Sequence, residues 1–349
     1  MTAEPHATPS RDPAPADADA LFAAARRPLV LGIGGGGDVV GALATVELCR
    51  AHGARPVVGG VTWERRPIDP NPGPRAEAEI EGARRLAPGV LAASGSTRVR
   101  DSGVLFAESR MAELLGEETV LVDVTLGPEA IADGLATAAA ELGADLIVFV
   151  DVGGDVLAHG DEPGLASPLC DALLLAAAAH LAKRAVCPAG GRAAPAGDEP
   201  AIPVLGGIFG VGCDGELTPA EVFARIAEVA AAGGFAGARG LTPAIAARLE
   251  EAVEAIPTEA SAQAVRCFHG AIGETAIRQG RRTVELSPVG ALTFYFDVSK
   301  AIWSAARLAA AVIDAEDLEA ANEILHARGI RTELDYERDA LHTVRSSSN

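Results

Sequence analysis

The chain has 349 residues, 49% of them hydrophobic and 22% charged, with 29 Lys and Arg against 48 Asp and Glu for a formal net charge of −19. This is apolar enough to bury a sizeable core, which excludes a mainly disordered chain. The acidic balance excludes a broad basic face for nucleic acid or anionic lipid. No stretch reaches the roughly 18 uninterrupted apolar residues of a membrane span; the apolar run from Ala172 to Ala182 is short and contains His180.

Residues 1–20 are rich in Pro, Ala and Asp, with neither a basic start nor an apolar centre. They read as a disordered tail rather than a signal peptide, so the cytoplasm is the expected location. Apolar runs then recur at Pro28–Gly34, Arg55–Trp63, Thr119–Thr125, Asp145–Val152 and Ile202–Gly210. Continuous apolarity over this length predicts parallel strands covered on both faces. Val39–His52, Pro128–Leu142 and Ser167–Lys183 are long enough to be crossover helices. Together they predict a doubly wound, mostly parallel Rossmann-like α/β sheet, with its core over residues 21–189 and a C-terminal α+β extension.

Gly190–Pro200 reads as a hinge. Residues 201–336 then continue the sheet and add a helical and β-hairpin subdomain. Thr-Pro pairs open predicted helices at Pro219–Ala232 and Pro243–Ala255. A stretch without strand signal leads to two strands, Arg282–Leu286 and Ala291–Val298, joined by Ser-Pro-Val-Gly turn chemistry. A helix over Ser299–Ile313, a short αβ unit over Leu318–Leu334 and a flexible tail over 337–349 complete the reading. The five cysteines form no CxxC pair and read as buried reduced thiols, with Cys213 in a Gly-rich loop as the one candidate nucleophile.

Open α/β sheets bind ligands at the carboxyl ends of their strands. The first strand runs into Gly34, Gly35, Gly36 and Gly37, whose amides, at the start of a helix, suit a phosphate or carboxylate. Gly32, Gly34 and Gly37 also spell GxGxxG, but Glu64 is the one acid near the end of the second strand, so NAD is not expected. Asp38 caps the helix or, beside an anion, needs a cation or proton between them. After the fourth strand come Asp151, Asp155, His159, Asp161 and Glu162, punctuated by Gly153 and Gly154. Asp151 and Asp155 could hold Mg²⁺ or form a carboxylate acid/base pair, with His159 as proton shuttle. Ser167 reads as the next N-cap, with Asp171 in the helix that follows. Arg65 and Arg75, on a loop set by Asp69, Pro70 and Pro74, could clamp an anion. Asp214 and Glu216 follow the fifth strand, where Asp214 could join the same cleft. Asp297 and Lys300 stand near a later strand end.

GGGGDVVGA, WERRPIDPNPGPR, LIVFVDVGGDVLAHGDE with LASPLCDA, and GGIFGVGCDGEL together resemble the family known as domain of unknown function 1152, across Pro28–Ile330. The resemblance implies no reaction. The residues predict an enzyme acting on a small phosphorylated or nucleotide-like metabolite by Mg²⁺-assisted hydrolysis or group transfer. Gly34–Gly37, Glu64, Arg65, Arg75 and Asp214 would bind substrate, Asp151 and Asp155 would hold metal or act as base, and Asp38 would assist. A metal-free lyase or cyclase using a carboxylate base, and a nucleotide sensor without catalysis, are the alternatives. The partner is a small molecule rather than nucleic acid or membrane, and a homo-oligomer is compatible with the composition.

Overall fold

A computed structural model describes residues 16–186 and 202–347. The Gly190–Pro200 hinge, Cys187 and residues 1–15 of the N-terminal tail lie outside them. Nine strands form one sheet: β1 (Pro28–Gly32), β2 (Val57–Val61), β3 (Arg84–Ala87), β4 (Val90–Ala93), β5 (Thr119–Val122), β6 (Leu146–Val152), β7 (Val204–Phe209), β8 (Phe235–Gly240) and β9 (Leu292–Asp297). Their order is β8-β9-β7-β6-β1-β2-β5-β4-β3. The central five, β7-β6-β1-β2-β5, are parallel, and antiparallel strands extend both edges. All seven residues of β6 and all five of β1 are buried, as their unbroken apolarity requires of strands covered on both faces.

Helices cover the two faces. One carries α1 (Ala18–Ala24), α2 (Asp38–Ala51), α3 (Ala107–Leu115), α7 (Pro243–Ala255) and α8 (Ala260–Phe268). The other carries α4 (Pro128–Leu142), α5 (Pro168–Val186), α6 (Pro219–Ala231), α9 (Val298–Ser304), α10 (Arg307–Ala311), α11 (Leu318–His326) and α12 (Glu333–Ser347). This is a doubly wound mixed α/β fold, and no helix among the described residues is long and apolar enough to cross a membrane. From β1 the chain winds outward through β2 to β5, then returns to lay β6 and β7 on the other side of β1. The sheet therefore reverses its winding between β1 and β6, where a crevice opens at the strand ends.

Five expectations are corrected. Arg282–Leu286 pairs with Gly273–Ile277 in a separate ribbon, while β9 joins the main sheet between β7 and β8. Left-handed backbone at Gln279 and Gly280 closes that ribbon early, and the Ser-Pro-Val-Gly segment becomes a 3₁₀ turn leading to β9. The Ser299–Ile313 helix is two helices, broken at Ala305 and Ala306. The Leu318–Leu334 unit contains α11 but no strand. Residues 337–347 continue α12 rather than forming a flexible tail, because Leu334 is packed in the core and Glu337 is buried. At the other end, Asp17 caps α1 and Phe22 is fully buried, so order begins before residue 20.

Candidate functional site

The loops after β1, β6 and β7 and the first turn of α5 meet at the reversal point. Asp38 begins α2, Asp151 stands near the end of β6, and Asp171 lies in the first turn of α5. One carboxylate oxygen from each lies within 4.8 Å of the others, and Asp155, Asp214 and Glu216 form a second such triad. Glycines make room for both. A Cβ on Gly34 would lie 2.5 Å from Asp38 Oδ2 and 3.2 Å from Asp171 Oδ2, and one on Gly153 would lie 2.2 Å from Asp214 Cγ. Gly153 also has φ +131°, so both sterics and backbone conformation demand glycine at the bend after β6.

Burial dominates the electrostatics. It pushes the carboxyls of Asp151, Asp155 and Asp171 well above their ordinary range, and those of Asp38 and Asp214 up to about 7. Repulsion between neighbouring carboxylates adds to the effect for each. Compensation is uneven. In the second triad Glu216 accepts the Ala166 and Ser167 amides, both at 2.7 Å, and the Ser167 hydroxyl. Arg278 and Arg282 approach it at 3.5 and 3.4 Å. In the first triad Arg65 eases Asp38 and Asp171. The charges that bear most on Asp151 are the carboxylates of Asp155, Asp38 and Asp214, with the Val156 backbone amide acting weakly the other way.

Asp151 is 1% exposed, and neither of its oxygens has a hydrogen-bond partner. Oδ1 of Asp171 and of Asp214 is likewise buried and unpartnered. Buried orphan carboxylate oxygens are costly, and a divalent cation is the group that satisfies several at once. A hard, all-oxygen donor set suits Mg²⁺ or Ca²⁺. The residues present therefore fit a cation at Asp38, Asp151 and Asp171. Asp155, on the 3₁₀ turn over Asp155–Leu157, groups with Asp214 and Glu216 in the neighbouring triad, while its carboxylate remains the foremost charge acting on Asp151.

The other expected site residues divide. Asp38 accepts the Gly34 amide at 2.9 Å, and the Gly36 amide donates to the Trp63 carbonyl at 2.8 Å. Two of the four glycine amides are thus engaged within the protein, and the loop is not the open anion cradle its sequence suggests. Gly35 and Gly36 instead leave room for Arg65, whose Nη2 donates to the Gly34 carbonyl at 2.5 Å and to Glu333 at 3.2 Å. The Arg65 guanidinium also lies 4.2 Å over the Trp63 ring. Arg75 is no clamp: Nε and Nη2 bind Asp69 at 2.8 and 2.7 Å, and Nη2 also donates to the Asn71 carbonyl at 2.7 Å. Glu64 accepts the Ala107 amide at the start of α3, and burial raises its carboxyl to about 7. His159 lies apart from the aspartates, with Nε2 3.0 Å from Glu228 in a network with Glu162 and Arg225. Burial lowers its pKa. Asp214 joins the second triad, Asp297 caps α9, and the buried Cys213 thiol meets that of Cys267.

Two site residues carry no signal in the sequence. Glu333 and Glu337, one helical turn apart on α12, reach back to the strand ends. Glu333 accepts the Leu169 and Cys170 amides at 3.0 and 2.9 Å, taking the capping role expected of Ser167. Glu337 accepts the Trp63 indole N–H at 3.1 Å and the Gly73 amide at 2.8 Å. Neither contact leaves a local pattern to read.

A family model described as a protein of unknown function, DUF1152, matches residues 29–341. The chain belongs to that family. No curated protein and no solved structure matches the chain. The DUF1152 match spans every strand end that contributes to the two triads and also takes in Glu333 and Glu337.

Proposed function

We propose that this DUF1152 protein is a cytoplasmic enzyme that hydrolyses, or transfers a group from, a small phosphorylated or nucleotide-like metabolite with the help of a divalent cation. The observation carrying this reading is Asp151, a fully buried carboxylate with both oxygens unpartnered, placed where the sheet reverses its winding. Asp38, Asp151 and Asp171 would hold Mg²⁺, which when bound polarises a phosphoryl oxygen. Arg65, whose charge eases both Asp38 and Asp171, holds the anionic end of the substrate. Asp155, beside Asp151 and raised in proton affinity by burial, accepts the proton that leaves the attacking water or hydroxyl.

The test is thermal melting after EDTA treatment. Mg²⁺ at a hundred times its Kd should stabilise the wild type by about 2.7 kcal/mol, while Asp151→Asn should lose that response. A phosphorylated ligand should add stability only when metal is present. The raised carboxyls also favour a second reading, a metal-free lyase or cyclase in which one of them is the base. Stabilisation by unphosphorylated acids that is indifferent to EDTA would replace the first reading with the second.

A further inference from the structure

We infer that the N-terminus of α5 and the Arg65 guanidinium form an oxyanion-binding subsite, and that Glu333 occupies it as an internal stand-in for the phosphate or carboxylate group of the substrate. The inference rests on reading Arg65 as the anion-holding residue and adds the rest of the subsite and its present occupant.

Glu333 has the contacts an oxyanion would make. One oxygen accepts from Cys170 N–H and from Arg65 Nη2, and the other from Leu169 N–H. Two amides without intrahelical partners, at the head of a 19-residue helix, attract negative charge through both hydrogen bonding and the helix dipole. An ordinary cap is local, but here it comes from a residue 163 positions away. Ser167, the residue placed to cap the helix, is drawn off to Glu216.

Two further groups mark the place as a ligand position. Arg65 Nη1 is buried with no hydrogen-bond partner, and the Glu337 carboxylate, 3.9 Å from it, is too far for a hydrogen bond. Asp171, the residue after Cys170, is 2% exposed with Oδ1 unpartnered, and it is a member of the first triad. An anion seated on these amides would have an unused guanidinium N–H on one side and the cation-holding carboxylates on the other.

The occupant can leave. Besides Leu334, α12 is attached through polar contacts: Glu337 to Trp63 and Gly73, Asp335 to Asn322 and His326 of α11, and Arg338 to Glu319. Water can replace the more exposed of these, at His326 and Arg338. A phosphate brings more charge than one carboxylate and would displace Glu333, moving the first turn of α12 outward and exposing Arg65.

The experiment measures binding of inorganic phosphate to the full chain in EDTA, so its outcome is independent of the metal reading. Glu333→Gln should bind phosphate at least tenfold more tightly than the wild type, and adding Arg65→Met should remove the gain. In the wild type, saturating phosphate should speed amide hydrogen exchange across 333–347. An acetate arm identifies the source: a tenfold gain for acetate but not phosphate keeps the subsite and assigns it to a carboxylate substrate. A folded Glu333→Gln protein with unchanged affinity for both anions overturns the inference, as does a gain that survives Arg65→Met. Should Glu333→Gln fail to fold, wild-type exchange decides: faster exchange in 333–347 upholds the subsite and unchanged exchange overturns it.

Discussion

Arg65 and Arg75 leave the same proline-set loop and have opposite fates. Arg75 is buried against Asp69 and the loop carbonyls, whereas Arg65 retains one buried nitrogen without a partner. Arg75→Met strands the Asp69 carboxylate and should cost about 3 kcal/mol of stability, read as a lower urea midpoint, while the Mg²⁺ and phosphate responses stay as in the wild type. A changed ligand response with unchanged stability would return Arg75 to the site. From sequence both arginines carry the same charge on the same loop, and only the neighbouring Asp69 separates them. The acids that end strands, such as Asp151, are legible because an acid closing an apolar run stands out. Glu333 is not, because its role depends on a contact across 163 positions of chain.

Between elements, the close approach of α2 to β6 shapes the site. Gly41 makes it possible: a Cβ there would lie 2.2 Å from Val152 Cγ2 and 3.1 Å from the Phe209 ring. Gly41→Ala gains about 1 kcal/mol in helix propensity but overpacks a filled interface, at a cost of about 1–3 kcal/mol. The variant should melt at a lower temperature than the wild type and respond less to Mg²⁺, since Val152 directly precedes the Gly153 bend. A higher melting temperature would show that α2 can shift freely. The central strands and their crossover helices are readable for the same packing reason, because double-sided burial leaves unbroken apolar runs. Edge strands β3 and β8 are half exposed, and Gly237 opens a bulge in β8, so their hydrophobic pattern is too weak to detect. The pairing of Arg282–Leu286 with an earlier strand is set by a turn at Gln279 and Gly280 that composition does not announce.

Over the whole molecule, the buried acids govern how stability depends on pH. Asp38 and Asp214 titrate near 7 in the folded metal-free protein, against an ordinary value of 3.8. Between these values the folded chain binds more protons than the unfolded chain, so stability is fully present below about 4 and is lost as pH rises through about 7. Glu162 and Asp335, held below their ordinary range, act in the opposite sense but only in more acid solution. In EDTA the melting temperature should therefore fall between pH 5 and pH 7.5, as the linkage requires. Mg²⁺ should restore it most at the upper end, because the cation needs the ionised carboxylates. A flat profile in EDTA would mean that these acids are not protonated in the fold.

The first triad joins position 38 to positions 151 and 171, tying together segments that are remote along the chain. A cation there would be a removable cross-link closing two loops of the polypeptide, at an entropic cost that grows only slowly with their length. Its loss would free α2, β6 and α5 from one another together. Occupancy of a few oxygen atoms would then set how long each molecule survives proteolysis, making its lifetime a record of cation supply.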